Sequence, residues 1–361
     1  MESRSVAVIG AGTMGAGIAQ VALEAGWAVH LADLDGAALE RARARIFDGL
    51  LRRASRVAGT TDPGAWAEAR LARLAGHRAL ADAAGGVDLV IEAALEDLEV
   101  KRRLFAELDA TVPPEAILAT NTSALSVARI AEATARPGRV LGLHFFNPAP
   151  VLRLVEVVVG PATDPTVADR ATTIVAAWGK TPVRCTDTPG FIVNRVNRPF
   201  TLEALRMLEN GEAGIEAIDA AVRGAGFPMG PFEFIDLVGI EVNLAAATGV
   251  WDGLGRPERL RPSATQARLV AAGRLGRKTG EGFYRYAGPE RLGPGGEFAA
   301  AGDSPGPELV PATIVGRIRA AIRHEAERAR DEGVAGEADI DLALRLGAAH
   351  PTGPFEAETG R

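Results

Sequence analysis

His144 and Glu156 are the two side chains best placed, by type and spacing, to do acid–base chemistry in this chain. His144 lies where the apolar run Val140 to Leu143 ends, within Gly142-Leu143-His144-Phe145-Phe146-Asn147-Pro148. Glu156 follows twelve residues later inside a second apolar run, Leu154-Val155-Glu156-Val157-Val158. A neutral imidazole near pH 7 is suited to take the proton of a hydroxyl. A buried carboxylate without a partner is costly. Glu156 is therefore expected to accept the other ring N–H, fixing the tautomer and stabilising the imidazolium. Of the other histidines, His30 falls inside a strand, His77 in a basic loop, and His324 and His350 in the C-terminal tail. A base and its orienting carboxylate point to oxidation of an alcohol, which also needs a hydride acceptor.

A place for the acceptor lies far upstream. Gly10-x-Gly12-x-x-Gly15 alone is a weak signal. Here it follows the strand Val6 to Ile9 and opens a helix over Thr13 to Glu24. A second strand, Ala28 to Leu31, leads to Asp33, eighteen residues after Gly15. That context is the dinucleotide-binding arrangement. Gly10 and Gly12 allow a tight turn and close approach to a pyrophosphate, and Gly15 lets helix and strand pack closely. The helix N-terminus offers N–H groups and positive dipole. Asp33 can accept ribose hydroxyls and would repel a 2′-phosphate, so NAD is favoured over NADP.

The elements that must position these groups alternate. Strands are expected at Val87 to Ile91, Ala116 to Thr120 and Arg139 to Leu143, with helices between, which implies a parallel, doubly wound sheet. Leu152 to Val159 and Thr181 to Cys185 add strand-like pieces. Arg41 to Arg78 reads as a charged helical stretch, two helices around Gly59-Thr60-Thr61-Asp62-Pro63. After Thr188-Pro189-Gly190 the pattern becomes almost wholly helical. The fold class expected is α/β, a Rossmann-type sheet joined to an all-α domain with a partial helical repeat. The boundaries are 1–188 for the nucleotide domain, 189–286 for the helical domain, 287–311 for a linker and 312–361 for the repeat. The linker holds eleven Gly or Pro in 25 residues.

The tail repeats the helical domain. Ile192-Val193-Asn194-Arg195 matches Ile314-Val315-Gly316-Arg317, and the Ile218-Asp219 pair matches Ile340-Asp341. Gly230-Pro231-Phe232-Glu233 matches Gly353-Pro354-Phe355-Glu356. The offset is 122 residues, then 123. Gly316 stands at the position of Asn194, so the copy is expected to be non-catalytic. Its apolar positions Ile314, Ile318, Ala321 and Ile322 keep helical spacing and need a surface to cover; the first copy's helices are the natural one.

Bulk properties exclude several classes. With 361 residues, two to three domains are expected. A net charge of −6 argues against general nucleic-acid binding. Cys185 is the single cysteine, so neither an internal disulfide nor a Cys-based zinc cluster is expected, and no metal site is assigned. No apolar run approaches the ~18 residues of a membrane span. Met1-Glu2-Ser3-Arg4 leads directly into a strand, so no signal peptide and a cytoplasmic location are expected.

Six stretches together resemble the 3-hydroxyacyl-CoA dehydrogenases, including the 3-hydroxybutyryl-CoA dehydrogenases. They are Val8-Ile9-Gly10-Ala11-Gly12-Thr13-Met14-Gly15, Asn121-Thr122-Ser123, Gly142 to Pro148, Asp187 to Arg195, Pro228-Met229-Gly230-Pro231-Phe232-Glu233 and Lys278-Thr279-Gly280-Glu281-Gly282-Phe283-Tyr284, which cover residues 5 to 286 without a large gap. The resemblance implies NAD-dependent oxidation of an (S)-3-hydroxyacyl-CoA, as in fatty acid metabolism. It implies His144 as base, Glu156 as its partner, and Ser123 and Asn194 as hydrogen-bonding groups near the substrate. Gly10, Gly12, Thr13, Met14, Gly15, Asp33, Glu96, Lys101 and Asn121 would serve the cofactor. Simple members resemble dimers built through their helical domains. From residues alone, Ser123 reads equally as the N-cap of a helix over Leu125 to Glu132, Asn194 as a buried turn contact, and Lys101 as part of a charged surface.

Glu40 to Arg78 holds nine Arg against four acidic residues, by default a solvated face. In the family this insert contacts the CoA nucleotide, and Arg56 stands where a basic residue is usual. Gly49 stands where the family often has Ser, which leaves room for an acyl-carrier-protein thioester. Two alternatives remain: a dehydrogenase of the same fold acting on a carrier-bound or free 3-hydroxy acid, and a nucleotide-binding structural or sensor protein.

Overall fold

A computed structural model of the chain describes residues 4–57, 59–298 and 309–356. It divides between Thr188 and Pro189 into two compact units. The first contains β1 (Ser5–Ile9), α1 (Thr13–Glu24), β2 (Ala28–Ala32), α2 (Gly36–Ala54), α3 (Pro63–Leu71), β3 (Leu74–His77), α4 (Leu80–Ala84) and β4 (Leu89–Glu92). It continues with α5 (Leu98–Thr111), β5 (Ile117–Thr120), α6 (Val127–Ala131), β6 (Val140–Phe145), β7 (Leu154–Val159), α7 (Pro165–Ala177) and β8 (Thr181–Thr186). The strands form one sheet in the order β3-β2-β1-β4-β5-β6-β7-β8. Helices flank the sheet, so β4, β5 and β6 are buried along their whole length, as near-continuous apolar runs in such sheets should be. The strand order reverses beside β1, and ligands of such sheets bind at the carboxyl ends there.

Three expectations need correcting. The sheet is not wholly parallel: β7 runs antiparallel to β6, while β8 is parallel to β7. The connection from Phe146 to Arg153 is too short for a crossover helix, which needs a dozen or more residues. The charged stretch is not helical throughout, because Leu74–His77 pairs with β2 as an edge strand; His77 ends that strand instead of lying in a loop. The segment 287–311 does not begin as a linker. β9 (Tyr284–Ala287) and β10 (Glu290–Pro294) form an antiparallel ribbon with an irregularity at Gly293. Gly288 and Gly293 adopt positive φ there, so the glycines shape a turn and a bulge. Phe298 is buried, with its ring 5.2 Å from that of Phe283. Residues 299–308 lie outside those described.

The second unit begins with α8 (Val193–Val196), α9 (Arg198–Glu209), α10 (Ile215–Gly224), α11 (Pro231–Val238), α12 (Ile240–Gly253) and α13 (Ala264–Ala271). After the ribbon come α14 (Pro311–Asp331) and α15 (Glu337–Gly347). α14 packs on α8, α9 and α10, and α15 packs on α8. Ile314, Ile318 and Ile322 are the buried stripe of α14, while Ala321 is only partly covered and Gly316 is exposed.

The two copies share local structure as well as sequence. Asp219 accepts from the backbone N–H groups of Phe232 (3.0 Å) and Glu233 (3.1 Å), and Asp341 accepts from Phe355 N–H at 2.8 Å. Glu233 accepts from Gly230 N–H at 2.9 Å, and Glu356 from Gly353 N–H at 2.8 Å. A Cβ at either glycine would come 2.2 Å from the carboxyl carbon of its aspartate. The copies also exchange equivalent contacts. Arg195 pairs with Glu325 at 2.8 Å, and Arg317 with Glu203 at 2.7 Å. Each Arg and each Glu is related to its counterpart by the 122-residue offset, so one surface patch meets its own copy, as at a two-fold interface.

A chain ended after Phe298 keeps the ribbon but removes Glu325 and Glu332, both carboxylate partners of the wholly buried Arg195. The truncated protein is expected to melt at lower temperature and to pair with a second copy or aggregate, read by light scattering. Unchanged mass and melting temperature would contradict the tail's role as an internal partner.

Candidate active site

The site starts from strand register. His144 of β6 stands directly opposite Glu156 of β7, and opposed residues of antiparallel strands project to one face. His144 Nδ1 lies 2.6 Å from Glu156 Oε2. Their side chains are 7% and 0% exposed. A carboxylate acceptor puts the ring proton on Nδ1 and the basic lone pair on Nε2. Asn121, just past β5, accepts from Phe145 N–H at 2.8 Å, tying β5 to the strand that carries the histidine. The turn beyond β6 is held by Lys180, whose ammonium donates to the carbonyls of Ala149 and Leu152. Burial pushes that ammonium down to about 8.

At the same edge of the sheet, Gly10, Ala11 and Gly12 join β1 to α1. Gly10 has φ +104°, and a Cβ there would lie 2.7 Å from the carbonyl oxygen of Ala93. A Cβ at Gly15 would lie 1.8 Å from the carbonyl oxygen of Gly10, so close helix–strand packing requires that glycine. A Cβ at Gly12 would meet no atom within 4 Å. The first turn of α1, with Thr13 and Met14, receives no side-chain cap from Gly12. Uncapped N–H groups beside an open glycine face fit a pyrophosphate. Asp33 Oδ2 accepts from Ala11 N–H at 2.8 Å and Oδ1 from Asp35 N–H at 2.9 Å. Each oxygen retains a lone pair for a ribose hydroxyl.

Between these two regions runs a buried polar network. Lys101 is not on the surface; it is 1% exposed and donates to both oxygens of Glu92 at 2.6 and 2.9 Å. It also lies 3.3 Å from Glu96. Thr120 donates to Glu92 at 2.7 Å. Glu96 accepts from Thr122 Oγ1 (2.6 Å), Ser123 N–H (2.9 Å) and Ser123 Oγ (3.3 Å). Burial works to raise the Glu96 carboxyl, and the Lys101 ammonium and these donors outweigh it, leaving it below the usual carboxylate range. Ser123 is not a helix N-cap; Ser126 caps α6. Asp187 completes that cap, accepting from Ser126 Oγ and from the N–H groups of Val127 and Ala128.

Glu92, Thr120, Thr122 and Asp187 were not singled out from the sequence. The available signal was a carboxylate closing the apolar strand Leu89–Glu92, where only a buried partner makes it tolerable. Asn194 sits in α8 of the second unit and is partly buried. Arg56 is exposed in the turn after α2. Gly49 is buried against Gln20, whose Oε1 would lie 2.0 Å from an added Cβ, so a serine there would displace Gln20. His30 and His77 face each other at 3.0 Å; burial and the neighbouring ring lower the His30 imidazole. Among the described residues no cluster of His, Cys, Asp and Glu is arranged to hold a metal ion, and no single helix is long and apolar enough to cross a membrane.

Known proteins match both units. The family described as "3-hydroxyacyl-CoA dehydrogenase, NAD binding domain" matches residues 5–188, and "3-hydroxyacyl-CoA dehydrogenase, C-terminal domain" matches residues 190–286. The chain is 50% identical over 284 residues to the 3-hydroxyadipyl-CoA dehydrogenase of Escherichia coli, covering 78% of this chain and 59% of that protein. It is 43% identical over 287 residues to the human mitochondrial hydroxyacyl-coenzyme A dehydrogenase, covering 78% of this chain and 91% of that protein. A crystal structure of 3-hydroxybutyryl-CoA dehydrogenase from Escherichia coli K12 superposes with a TM-score of 0.87 at 38% identity, covering 98% of this chain and 91% of that one. That likeness extends through the tail.

Proposed function

Since the chain belongs to the 3-hydroxyacyl-CoA dehydrogenase family, we propose that it catalyses the reversible NAD-dependent oxidation of an (S)-3-hydroxyacyl-CoA to the 3-oxoacyl-CoA, with His144 as the base. The observation that carries this reading is the buried 2.6 Å contact of His144 Nδ1 with Glu156, at the sheet edge that also bears the glycine loop. NAD, when bound, accepts the hydride. His144 Nε2 takes the hydroxyl proton as the hydride leaves, and Glu156 stabilises the imidazolium. In this reading Ser123, which donates to Glu96, holds the substrate's 3-oxygen, and Asn194 hydrogen-bonds toward the thioester. Glu96 and Lys101 shape the nicotinamide side of the site, with Asn121 beside them.

The names of the relatives bring hydroxybutyryl and hydroxyadipyl thioesters forward as candidate substrates. The exposed Arg56 and the basic face of α2 suit the CoA nucleotide. Cytoplasmic residence, and a homodimer whose usual contact the tail modifies, belong to the same reading. The test is NADH formation with 3-hydroxyacyl-CoA, the matching carrier-protein thioester and the free acid. Turnover of the CoA thioester above the other two supports the reading; turnover of only the free acid overturns it.

Asp33 sets cofactor choice. The parent is expected to prefer NAD to NADP, and Asp33→Ala to narrow the ratio of kcat/KM by about tenfold or more, the worth of a charge-assisted hydrogen bond lost and a repulsion removed. Comparable kcat/KM for both cofactors in the parent would refute this.

A further inference from the structure

The connection from Phe146 to Arg153 does more than return the chain from β6 to β7. It leaves β6 beside the base, with the ring centroids of His144 and Phe146 4.4 Å apart. It re-enters the sheet at Leu154, two residues before Glu156. At its middle it lies against α1. Ala149 is buried, and a Cβ at Gly17 would stand 3.2 Å from Ala149 Cβ and 3.3 Å from Pro150 Cδ. Gly17 is about one helical turn beyond Thr13, where α1 opens with the N–H groups suited to a pyrophosphate. One short turn of chain therefore touches both the strand of the base and the cofactor helix.

The internal hydrogen bonds of this turn close it on itself: the N–H groups of Val151 and Leu152 both donate to the Pro148 carbonyl. The carbonyls of Ala149 and Leu152 take an outside donor, and for both it is the Lys180 ammonium, the second at 2.9 Å. A buried carbonyl needs such a partner. Local sequence delivers the lysine. After α7 ends, Gly179 takes φ +75°, and Lys180 N–H reaches back to the Val175 carbonyl, a left-handed glycine closure. Thr181 N–H then donates to the Arg153 carbonyl at 2.7 Å, which sets β8 beside the end of the turn. Glu24 of α1, Arg53 of α2 and Arg153 of the turn are the charged groups that act on Lys180.

Resting on the dehydrogenase reading above, we propose that Lys180 is a positioning residue for the reaction: by clasping the turn between His144 and Glu156 onto α1, it sets the distance from the imidazole to the cofactor. It acts through the turn and not on the reacting atoms. A displacement of about 1 Å at a residue remote from the chemistry can cost roughly 10²-fold in rate. Burial, with Arg53 and Arg153, holds the ammonium down at about 8 against the pull of Glu24. The charge-assisted bonds are at full strength below that pH and weaken as pH rises through it.

Lys180→Met removes both bonds and keeps most of the side chain's bulk. It is expected to lower kcat at pH 7 by roughly 10- to 10²-fold while the dissociation constant of NAD, read by fluorescence titration, stays within about twofold. The ratio of parent to variant kcat should shrink as pH rises through about 8. Lys180→Arg, which stays charged, should recover part of the rate. Gly17→Ala leaves Lys180 in place but presses on Ala149, and should lower kcat by roughly threefold or more with NAD affinity unchanged. A Lys180→Met enzyme with parental kcat overturns the proposal and leaves the dehydrogenase reading standing. So does one that loses kcat and NAD affinity in the same proportion at every pH. If Lys180→Met fails to fold, Gly17→Ala decides, and parental kcat there overturns the proposal. A parent that forms no NADH from the thioester removes both readings.

Discussion

The His144→Gln enzyme is expected to turn over roughly 10²–10⁴ times more slowly than the parent, the usual worth of a positioned general base. The amide of Gln can still donate to Glu156, so the buried carboxylate keeps a partner and the strand pair keeps its register. What disappears is a lone pair of suitable basicity where Nε2 stood. NAD binding should barely change, because the glycine loop and Asp33 lie on β1 and β2, three and four strands away in the sheet. The loss should therefore appear in kcat and not in the dissociation constant of NAD. Glu156→Gln should also impair turnover, since a neutral amide cannot stabilise the imidazolium. A His144→Gln enzyme within about threefold of the parent would remove the base assignment.

Lys101→Met should destabilise the sheet unit by about 3–5 kcal/mol, the cost of leaving a buried charge unpaired. Glu92 is fully buried, and its charge is balanced by Lys101. The methionine fills similar volume, so packing loss is small and the effect reports electrostatics. The double variant Glu92→Gln with Lys101→Met should recover much of the loss, because the orphan charge goes with its partner. Urea unfolding followed on all three proteins reads the difference. A single variant within about 1 kcal/mol of the parent would show that Glu92 carries no charge that Lys101 must balance. Activity should fall too, since Lys101 helps hold Glu96, and Glu96 holds Ser123.

The nucleotide half was legible because its signals are local. Gly10, Gly12 and Gly15 mark the turn at fixed offsets, and the helix opens at Thr13 as read. The pairing of His144 with Glu156 was legible for a different reason: a carboxylate inside Leu154 to Val158 demands a partner. Direction was not legible. Apolar runs look alike in parallel and antiparallel strands, and only the short connection before Leu154 distinguishes β7. Leu74–His77 escaped because a four-residue edge strand between Arg73 and Arg78 carries little periodicity. The ribbon at Glu290–Pro294 escaped because its glycines and prolines read as breakers, although they serve a turn and a bulge. Lys101 looked like a member of a charged surface; whether a long cationic side chain is buried is decided by what stands opposite, which lies far away in sequence. The tail was legible as a repeat through Ile-Asp and Gly-Pro-Phe-Glu, because those residues close on one another as a single capping unit in each copy.

The most direct test of the central claim is the rate of NADH formation from (S)-3-hydroxyacyl-CoA and NAD by the parent and by His144→Gln, measured at saturating NAD. Robust turnover is expected from the parent, and residual turnover lower by orders of magnitude from the variant. Equal rates in both proteins, or no NADH from the thioester with the parent, would contradict the assignment of His144 as the base.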